Sequence, residues 1–183
     1  MPEKIIFITG GARSGKSRLA EKLAESNGGQ VAYIATAGVL DAEMAERVKI
    51  HQERRPAGWL TIEEPLSLTG ALTRVPATVG FVIVDCLTLW LTNRLLQEWE
   101  TVDMAVLEKE ILLELALFMD QLPSTPFRIA IVTNEVGCGI VPESALARAF
   151  RDLAGRANQM VAARADTVYL TVTGLPLKLK GGA

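Results

Sequence analysis

An α/β fold, doubly wound around a sheet of parallel strands, is what this sequence predicts. Strand-length apolar runs alternate along the chain with helix-length stretches of mixed polarity. The central runs are apolar without a polar alternation, as strands covered on both faces are. A glycine-rich segment, Gly10-Gly11-Ala12-Arg13-Ser14-Gly15-Lys16-Ser17, stands between the first apolar run and the first helical stretch. Strand, tight turn and helix in that order mark the ligand edge of an α/β sheet.

Taken in order, residues 4–9 read as the first strand and 16–26 as the helix after the turn. Residues 31–36 form a second strand, 41–54 a helix capped by Asp41, and 60–63 a weaker strand. A helix over 66–73 leads to the strand 81–85, an apolar run ending in Asp85. Helices over 88–99 and 102–121 follow, and Pro123-Ser124-Thr125-Pro126 turns the chain into the strand 128–133. Ser144 caps a helix over 144–164, and 167–172 is the next strand. In the closing segment 175–180 leucine and lysine recur, which reads as an edge strand with lysines guarding the edge. No repeat, low-complexity tract or linker interrupts this pattern, so residues 1–183 are expected to form one domain.

The segment 10–17 is a complete G-x-x-x-x-G-K-[ST] loop. Its glycines let the backbone close on phosphate oxygens, and the helix N-terminus behind it adds partial positive charge. Lys16 is the residue type and position to reach β- and γ-phosphates, and Ser17 to hold Mg²⁺. The bland alternative is a glycine-rich turn with no ligand. Asp85, at the end of an apolar run, is placed to meet the Mg²⁺ shell opposite Ser17, or else caps the following turn.

Composition sets the class. The chain has 183 residues, 49% of them apolar and 22% charged, with a net charge of −2. That suits a globular domain with a sizeable core. The mild acidity argues against a nucleic-acid partner, and no apolar run reaches the length of a bilayer span. Met1-Pro2-Glu3-Lys4 leads straight into a strand, so no secretory leader is expected. Cys86 and Cys138 have neither metal-ligand spacing nor a partner cluster, which fits a reducing cytoplasm.

Two further clusters carry chemistry. The lone histidine, His51, lies between Arg47 and Arg54-Arg55, which share its face if the segment is helical. Four cations (Arg47, Lys49, Arg54, Arg55) with Glu53 as the one offset form a phosphate-binding surface. Their field disfavours imidazolium and keeps the ring neutral and nucleophilic near neutral pH. From spacing alone, a solvated cationic helix with an incidental histidine is the stronger reading. Thr133-Asn134-Glu135, followed by Gly137, Gly139 and Pro142, offers hydroxyl, amide and carboxylate on a shaped loop, or is turn chemistry alone. Arg148, Arg151 and Arg156 line the next helix and face either the phosphate pocket or solvent.

The segments ITGGARSGKSRLAE, AYIATAGVLDAEMAERVKIHQERRPAGW, VDCLTLWLTN, VTNEVGCGIVP and FRDLAGRANQ, in that order over nearly the whole chain, resemble the adenosylcobinamide kinase / adenosylcobinamide-phosphate guanylyltransferase family. The resemblance implies a P-loop NTPase-like three-layer sandwich, its sheet mostly parallel with one antiparallel edge strand. It implies two reactions: phosphorylation of adenosylcobinamide by ATP or GTP, then transfer of GMP from GTP to adenosylcobinamide phosphate through a covalent GMP–histidine, giving adenosylcobinamide-GDP. The histidine carries over onto His51. Nucleotide contacts carry over onto Gly10, Gly11, Ala12, Arg13, Ser14, Gly15, Lys16 and Ser17, onto Ala35, Thr36 and Ala37, onto Gln52, Glu53, Arg54 and Arg55, and onto Glu63 and Asp85, with Mg²⁺ at Ser17 and Asp85. Two departures matter. Asp85 stands where some relatives have Glu, so its carboxylate reaches less far and contact with the metal through water is favoured. Ile50 stands where some relatives have a second histidine. The family also implies a homo-oligomer, a trimer, whose interface draws on the apolar helix 107–122 unless Ile111, Leu112, Leu115 and Phe118 belong to the core.

Three other readings compete. A P-loop kinase for a small alcohol would phosphorylate without guanylyl transfer. A nucleotide-binding switch would bind without turnover. A nucleic-acid motor conflicts with the acidic charge balance and the short chain.

Overall fold

The computed structural model describes residues 3–38, 56 and 58–182. The expected helix 41–54, with Asp41 and His51, lies outside the described residues.

The elements are β1 (Ile5–Gly10), α1 (Lys16–Asn27), β2 (Gln30–Ala35), β3 (Leu60–Glu63), α2 (Leu68–Thr73), β4 (Val79–Asp85), α3 (Leu87–Glu98), α4 (Met104–Gln121), a 3₁₀ turn (Leu122–Ser124), β5 (Arg128–Val132), α5 (Ala145–Arg164), β6 (Thr167–Val172) and β7 (Leu175–Lys180). The seven strands form one sheet in the order β3-β2-β4-β5-β1-β6-β7. All neighbouring pairs are parallel except β6 with β7. β6 and β7 are joined through Thr173 (φ 51°) and Gly174 (φ 85°), the positive-φ pair that a two-residue hairpin turn demands.

Strand parity divides the core into two layers. Phe7, Ile34, Val82, Val84, Ile129 and Ile131 pack with the buried faces of α2, α3, α4 and α5. Ile6, Ile8, Tyr33, Ile83, Ala130 and Val132 pack with Ala20 and Ala24 of α1. The sheet is therefore sandwiched, which explains why its central strands carry apolar residues at every position.

Local hydrogen bonds explain where the helices start. Glu64 Oε1 accepts from the amides of Leu66 and Ser67, and Ser67 Oγ accepts from Gly70, so α2 begins at Leu68 rather than 66. Asp103 accepts from Ala105 and Val106, which moves the start of α4 from 102 to Met104. Ser144 caps α5 as expected, by accepting from Ala147.

On α4, Leu107, Ile111, Leu115 and Phe118 are core residues, Leu112 is half-buried, and Val106, Leu113 and Leu117 form the exposed stripe. β7 is an exposed edge. Lys180 Nζ donates to the Ala162 and Ala163 carbonyls at the end of α5, and Lys178 reaches Glu3. The edge lysines thus also satisfy a helix C-terminus.

Candidate active site

β1 ends at the sheet's carboxyl edge, and the chain turns at once into α1. Tight turning is concentrated at Gly10 (φ 152°), Arg13 (φ 55°) and Gly15 (φ 102°). α2, α4 and α5 each start on a side-chain cap, whereas α3 starts on Cys86 and α1 on Gly15 with none. At α1 no side chain competes for the first amides, which is what an anion site at a helix N-terminus requires.

Two neighbours hold the loop in shape. From the β6–β7 turn, Gly174 N donates to Ser14 O (2.9 Å), and the buried hydroxyls of Ser14 and Thr171 lie 2.7 Å apart. From the end of β5, Glu135 N donates to Gly10 O (2.9 Å). A Cβ on Gly10 would sit 2.4 Å from Thr171 O, a backbone atom with nowhere to go. Gly10→Ala is therefore expected to destabilise the fold by about 3 kcal/mol. For a chain of this size that lowers Tm by about 6–12 °C. Gly11→Ala, whose Cβ would meet nothing within 4 Å, is the matched control and should melt as the parent does. Calorimetry of the two variants checks this.

Lys16 lies inside the loop, 7% exposed, and its Nζ donates to Gly11 O (2.6 Å). Burial pulls its ammonium below the ordinary lysine pKa, and Cys86 and Asp85 partly oppose that shift. A buried cation bonded to a neutral carbonyl is poorly compensated, and an anion in the loop supplies what it lacks.

Ser17, one residue on, donates from Oγ to Asp85 Oδ2 (3.0 Å). Asp85 ends β4, separated from β1 by β5, and α1 carries Ser17 across that gap. The pair suits Mg²⁺. A hydroxyl that gives its proton to a carboxylate keeps a lone pair for the metal, and Mg²⁺ takes few protein ligands, filling its shell with water and phosphate oxygens. Among the described residues no group of three or more His, Cys, Asp or Glu forms an all-protein metal cage. Bound there, Mg²⁺ would neutralise charge developing on the phosphates.

Asp85 Oδ2 accepts a second hydrogen bond, from Tyr33 Oη. Sequence reasoning missed this residue. The signal available was a single phenol in a buried apolar strand, a group that needs a polar partner.

Behind Asp85, burial pushes the Cys86 thiol up to about 11, with the Asp85 charge adding to the shift. Cys86 is thus a protonated, inert core thiol near neutral pH, while Cys138 is exposed.

The remaining expected site residues fall into two groups. Thr36 is fully buried with its hydroxyl on Cys86 O (2.7 Å), and Asn93 Nδ2 donates to Thr36 O (2.8 Å). Its side chain therefore builds the end of β2, leaving Ala37 and Gly38 half-exposed beside it. Glu63 pairs with Ala35 across β2–β3 and lines an open cavity of about 690 Å³ with Thr61, Ile62 and Arg74. Gln52, Glu53, Arg54 and Arg55, together with Arg47 and His51, lie outside the described residues.

The loop after β5 is tied down rather than free. Asn134 Nδ2 donates to Thr88 Oγ1 (3.1 Å), Thr133 to Asn158 (2.9 Å) and Arg151 to Gly137 O (2.7 Å). Arg148 donates to the Pro142 and Glu143 carbonyls, and Arg156 pairs with Glu108 on α4. These arginines shape the loop and the helix packing.

A phosphate loop at the carboxyl edge of a mostly parallel sheet, with an acidic strand end within reach of the loop's serine, defines a P-loop nucleotide-binding protein of the NTPase type. Within that class the chain belongs to the cobinamide kinase / cobinamide phosphate guanyltransferase family, whose model matches residues 6–179. It is 49% identical over 176 residues to the bifunctional adenosylcobalamin biosynthesis protein CobP of Pseudomonas aeruginosa, covering 96% of each chain. It is 44% identical over 184 residues to the bifunctional adenosylcobalamin biosynthesis protein CobU of Salmonella typhimurium, covering 96% of this chain and 99% of that one. Among solved structures it is similar to the RadB recombinase at 15% identity and a TM-score of 0.49, covering 91% of this chain and 73% of that one.

Proposed function

We propose that this chain is an adenosylcobinamide kinase and adenosylcobinamide-phosphate guanylyltransferase. The observation that carries the reading is the cradle: an uncapped helix start, a buried Lys16 and the Ser17–Asp85 pair, in a chain whose family is described by both activities.

In the first reaction the hydroxyl oxygen of the corrinoid's aminopropanol arm attacks the γ-phosphorus of ATP or GTP. The bond to the β-phosphate oxygen breaks, the nucleoside diphosphate leaves, and the hydroxyl proton passes to solvent. The α1 amides and Lys16 bind the phosphates and stabilise charge on the leaving group. Ser17, with Asp85 behind it, holds the Mg²⁺ position; Asp85 acts through the hydroxyl and water.

In the second reaction a ring nitrogen of His51 attacks the α-phosphorus of GTP. A P–N bond forms, the α–β anhydride breaks, and pyrophosphate leaves. Arg47, Arg54 and Arg55 neutralise the α-phosphate. An oxygen of adenosylcobinamide phosphate then attacks that phosphorus, the P–N bond breaks, and adenosylcobinamide-GDP departs with the imidazole restored. Gln52 and Glu53, the 35–37 turn and Glu63 complete the nucleotide site.

The reading includes one domain over residues 1–183, a cytoplasmic setting and a homotrimer. No described helix is long and apolar enough to cross a membrane. Exposed Leu175, Leu177 and Leu179 on β7 supply apolar surface that an assembly of copies can cover.

The test is intact-protein and peptide mass spectrometry after incubation with GTP and Mg²⁺. A GMP-sized addition, labile to acid and stable to base, is expected on the peptide containing His51. Formation of adenosylcobinamide-GDP from added adenosylcobinamide phosphate by a protein that takes up no such adduct from GTP alone would overturn the covalent route in favour of direct transfer.

A further inference from the structure

We infer that Tyr33 is a positioning residue for the metal-bearing end of the site: its phenol fixes the rotamer of Asp85 so that the carboxylate can hold Ser17 and a water of the Mg²⁺ shell. The inference rests on the proposed metal role of Ser17 and Asp85.

The geometry comes from strand register. β2 and β4 are parallel, with Tyr33 opposite Ile83 and Ala35 opposite Asp85. Tyr33 and Ile83 lie in the layer under α1, and parity places Asp85 on that same side. Tyr33 is 2% exposed, so its hydroxyl sits inside the protein and donates to Asp85 Oδ2. Ser17 Oγ donates to the same oxygen from α1. One carboxylate oxygen is thus pinned between a strand and a helix by two donors. Two donors on one oxygen fix the direction of the whole carboxylate. Asp85 is the partner behind Ser17, a position whose loss typically costs about 10–100-fold in metal affinity, and releasing Asp85 from Tyr33 should cost the lower end of that range. Phenylalanine fills the same space but donates nothing, so among the described residues Asp85 would keep the Ser17 bond alone and regain rotational freedom.

A structural role in packing α1 on the sheet makes a different prediction from a positioning role. Packing defects weaken nucleotide binding with or without metal, whereas a misaligned carboxylate weakens only the metal-dependent part. The experiment titrates fluorescent mant-GTP into parent, Tyr33→Phe and Asp85→Asn proteins, in EDTA and at graded Mg²⁺. For Tyr33→Phe the affinity in EDTA should match the parent, and the Mg²⁺ concentration giving half-maximal tightening should rise about tenfold. Asp85→Asn should raise it at least as far. A parental Mg²⁺ half-point in Tyr33→Phe, with Asp85→Asn shifted, overturns the Tyr33 inference alone. An equal loss in EDTA and in Mg²⁺ overturns it in favour of packing. A parental half-point in Asp85→Asn removes the metal reading and the inference with it.

A second measurement leaves Tyr33 intact. The chain has two tyrosines, so Tyr169→Phe leaves Tyr33 as the sole phenol. The Raman tyrosine doublet of that variant should report strong donation, and Asp85→Asn in the same background should weaken it. A doublet typical of a non-donating phenol overturns the contact itself.

Discussion

Lys16→Met should lower affinity for GTP and ATP by at least about a hundredfold, and it should do so without destabilising the free protein. The first half follows from a charge pair formed out of water. Lys16 is 7% exposed, and phosphate oxygens entering the loop would meet its ammonium with little competing solvent. Truncating one side of such a pair costs about 2–5 kcal/mol, and about 3 kcal/mol is roughly two powers of ten. The second half is less intuitive. In the free protein the ammonium is desolvated, its pKa is pulled down, and it bonds to the neutral Gly11 carbonyl. A group whose folded pKa is depressed favours folding at pH above its unfolded value and works against it as pH falls, so near neutral pH the charge is a burden on the fold. Methionine keeps the methylene stem packed and removes the charge. Calorimetry should then give the variant a Tm equal to or above the parent's, while the rise in Tm on adding nucleotide, a measure of binding linkage, is lost. A variant that melts low yet binds GTP normally would mean that Lys16 supports the loop rather than reading phosphate.

What could be read before any coordinates depended on whether the signal was local. The central strands of the sheet were legible because burial on both faces leaves a continuous apolar run, β3 at the edge gave a weaker signal, and β7 was legible because its lysines recur beside exposed leucines. The loop 10–17 was legible because its chemistry is backbone chemistry, written in glycines at fixed spacing. α4 was not. Leu107, Ile111, Leu112, Leu113, Leu115, Leu117 and Phe118 surround the helix with apolar residues, so periodicity alone does not choose a buried side. The core chose Leu107, Ile111, Leu115 and Phe118 and left Leu113 and Leu117 outside. The start of α2 was misread by two residues because Glu64 and Ser67 compete with the helix for its first amides.

Tyr33 was illegible for another reason. Its role depends on the pairing of β2 with β4, two strands separated in sequence by β3 and α2, and no local pattern states that register. The same holds for Thr171 and Gly174, which reach Ser14 from the far end of the chain. The phosphate loop is thus a local motif whose rigidity is supplied from a distance. β6–β7 supports it on one side and the 133–137 turn on the other. Substitutions at Thr171 or Gly174 should therefore act on nucleotide binding through loop geometry, in contrast to Lys16, which acts through charge.

His51→Ala should abolish guanylyl transfer while sparing the kinase step. The chain has one histidine, so no other imidazole can substitute. Loss of a covalent nucleophile typically removes all but a small residue of turnover, so a fall on the order of 10⁴-fold or more is expected in GMP transfer. In the proposed mechanism phosphoryl transfer to adenosylcobinamide uses Lys16, Ser17 and Asp85 but not the ring, and it should stay within about threefold of the parent. The two activities then separate in one variant, an outcome that a general folding defect does not produce. Stereochemistry makes the test stricter. Two successive in-line displacements at the α-phosphorus return its original configuration, whereas a single direct attack by the corrinoid phosphate inverts it. With GTP carrying sulfur at the α-phosphate, the parent should give retention. Free imidazole added to His51→Gly should restore part of the transfer by occupying the vacated volume. Inversion in the parent, or GMP transfer by His51→Ala at the parental rate, would rule out the covalent route and leave a cradle that serves direct attack on GTP.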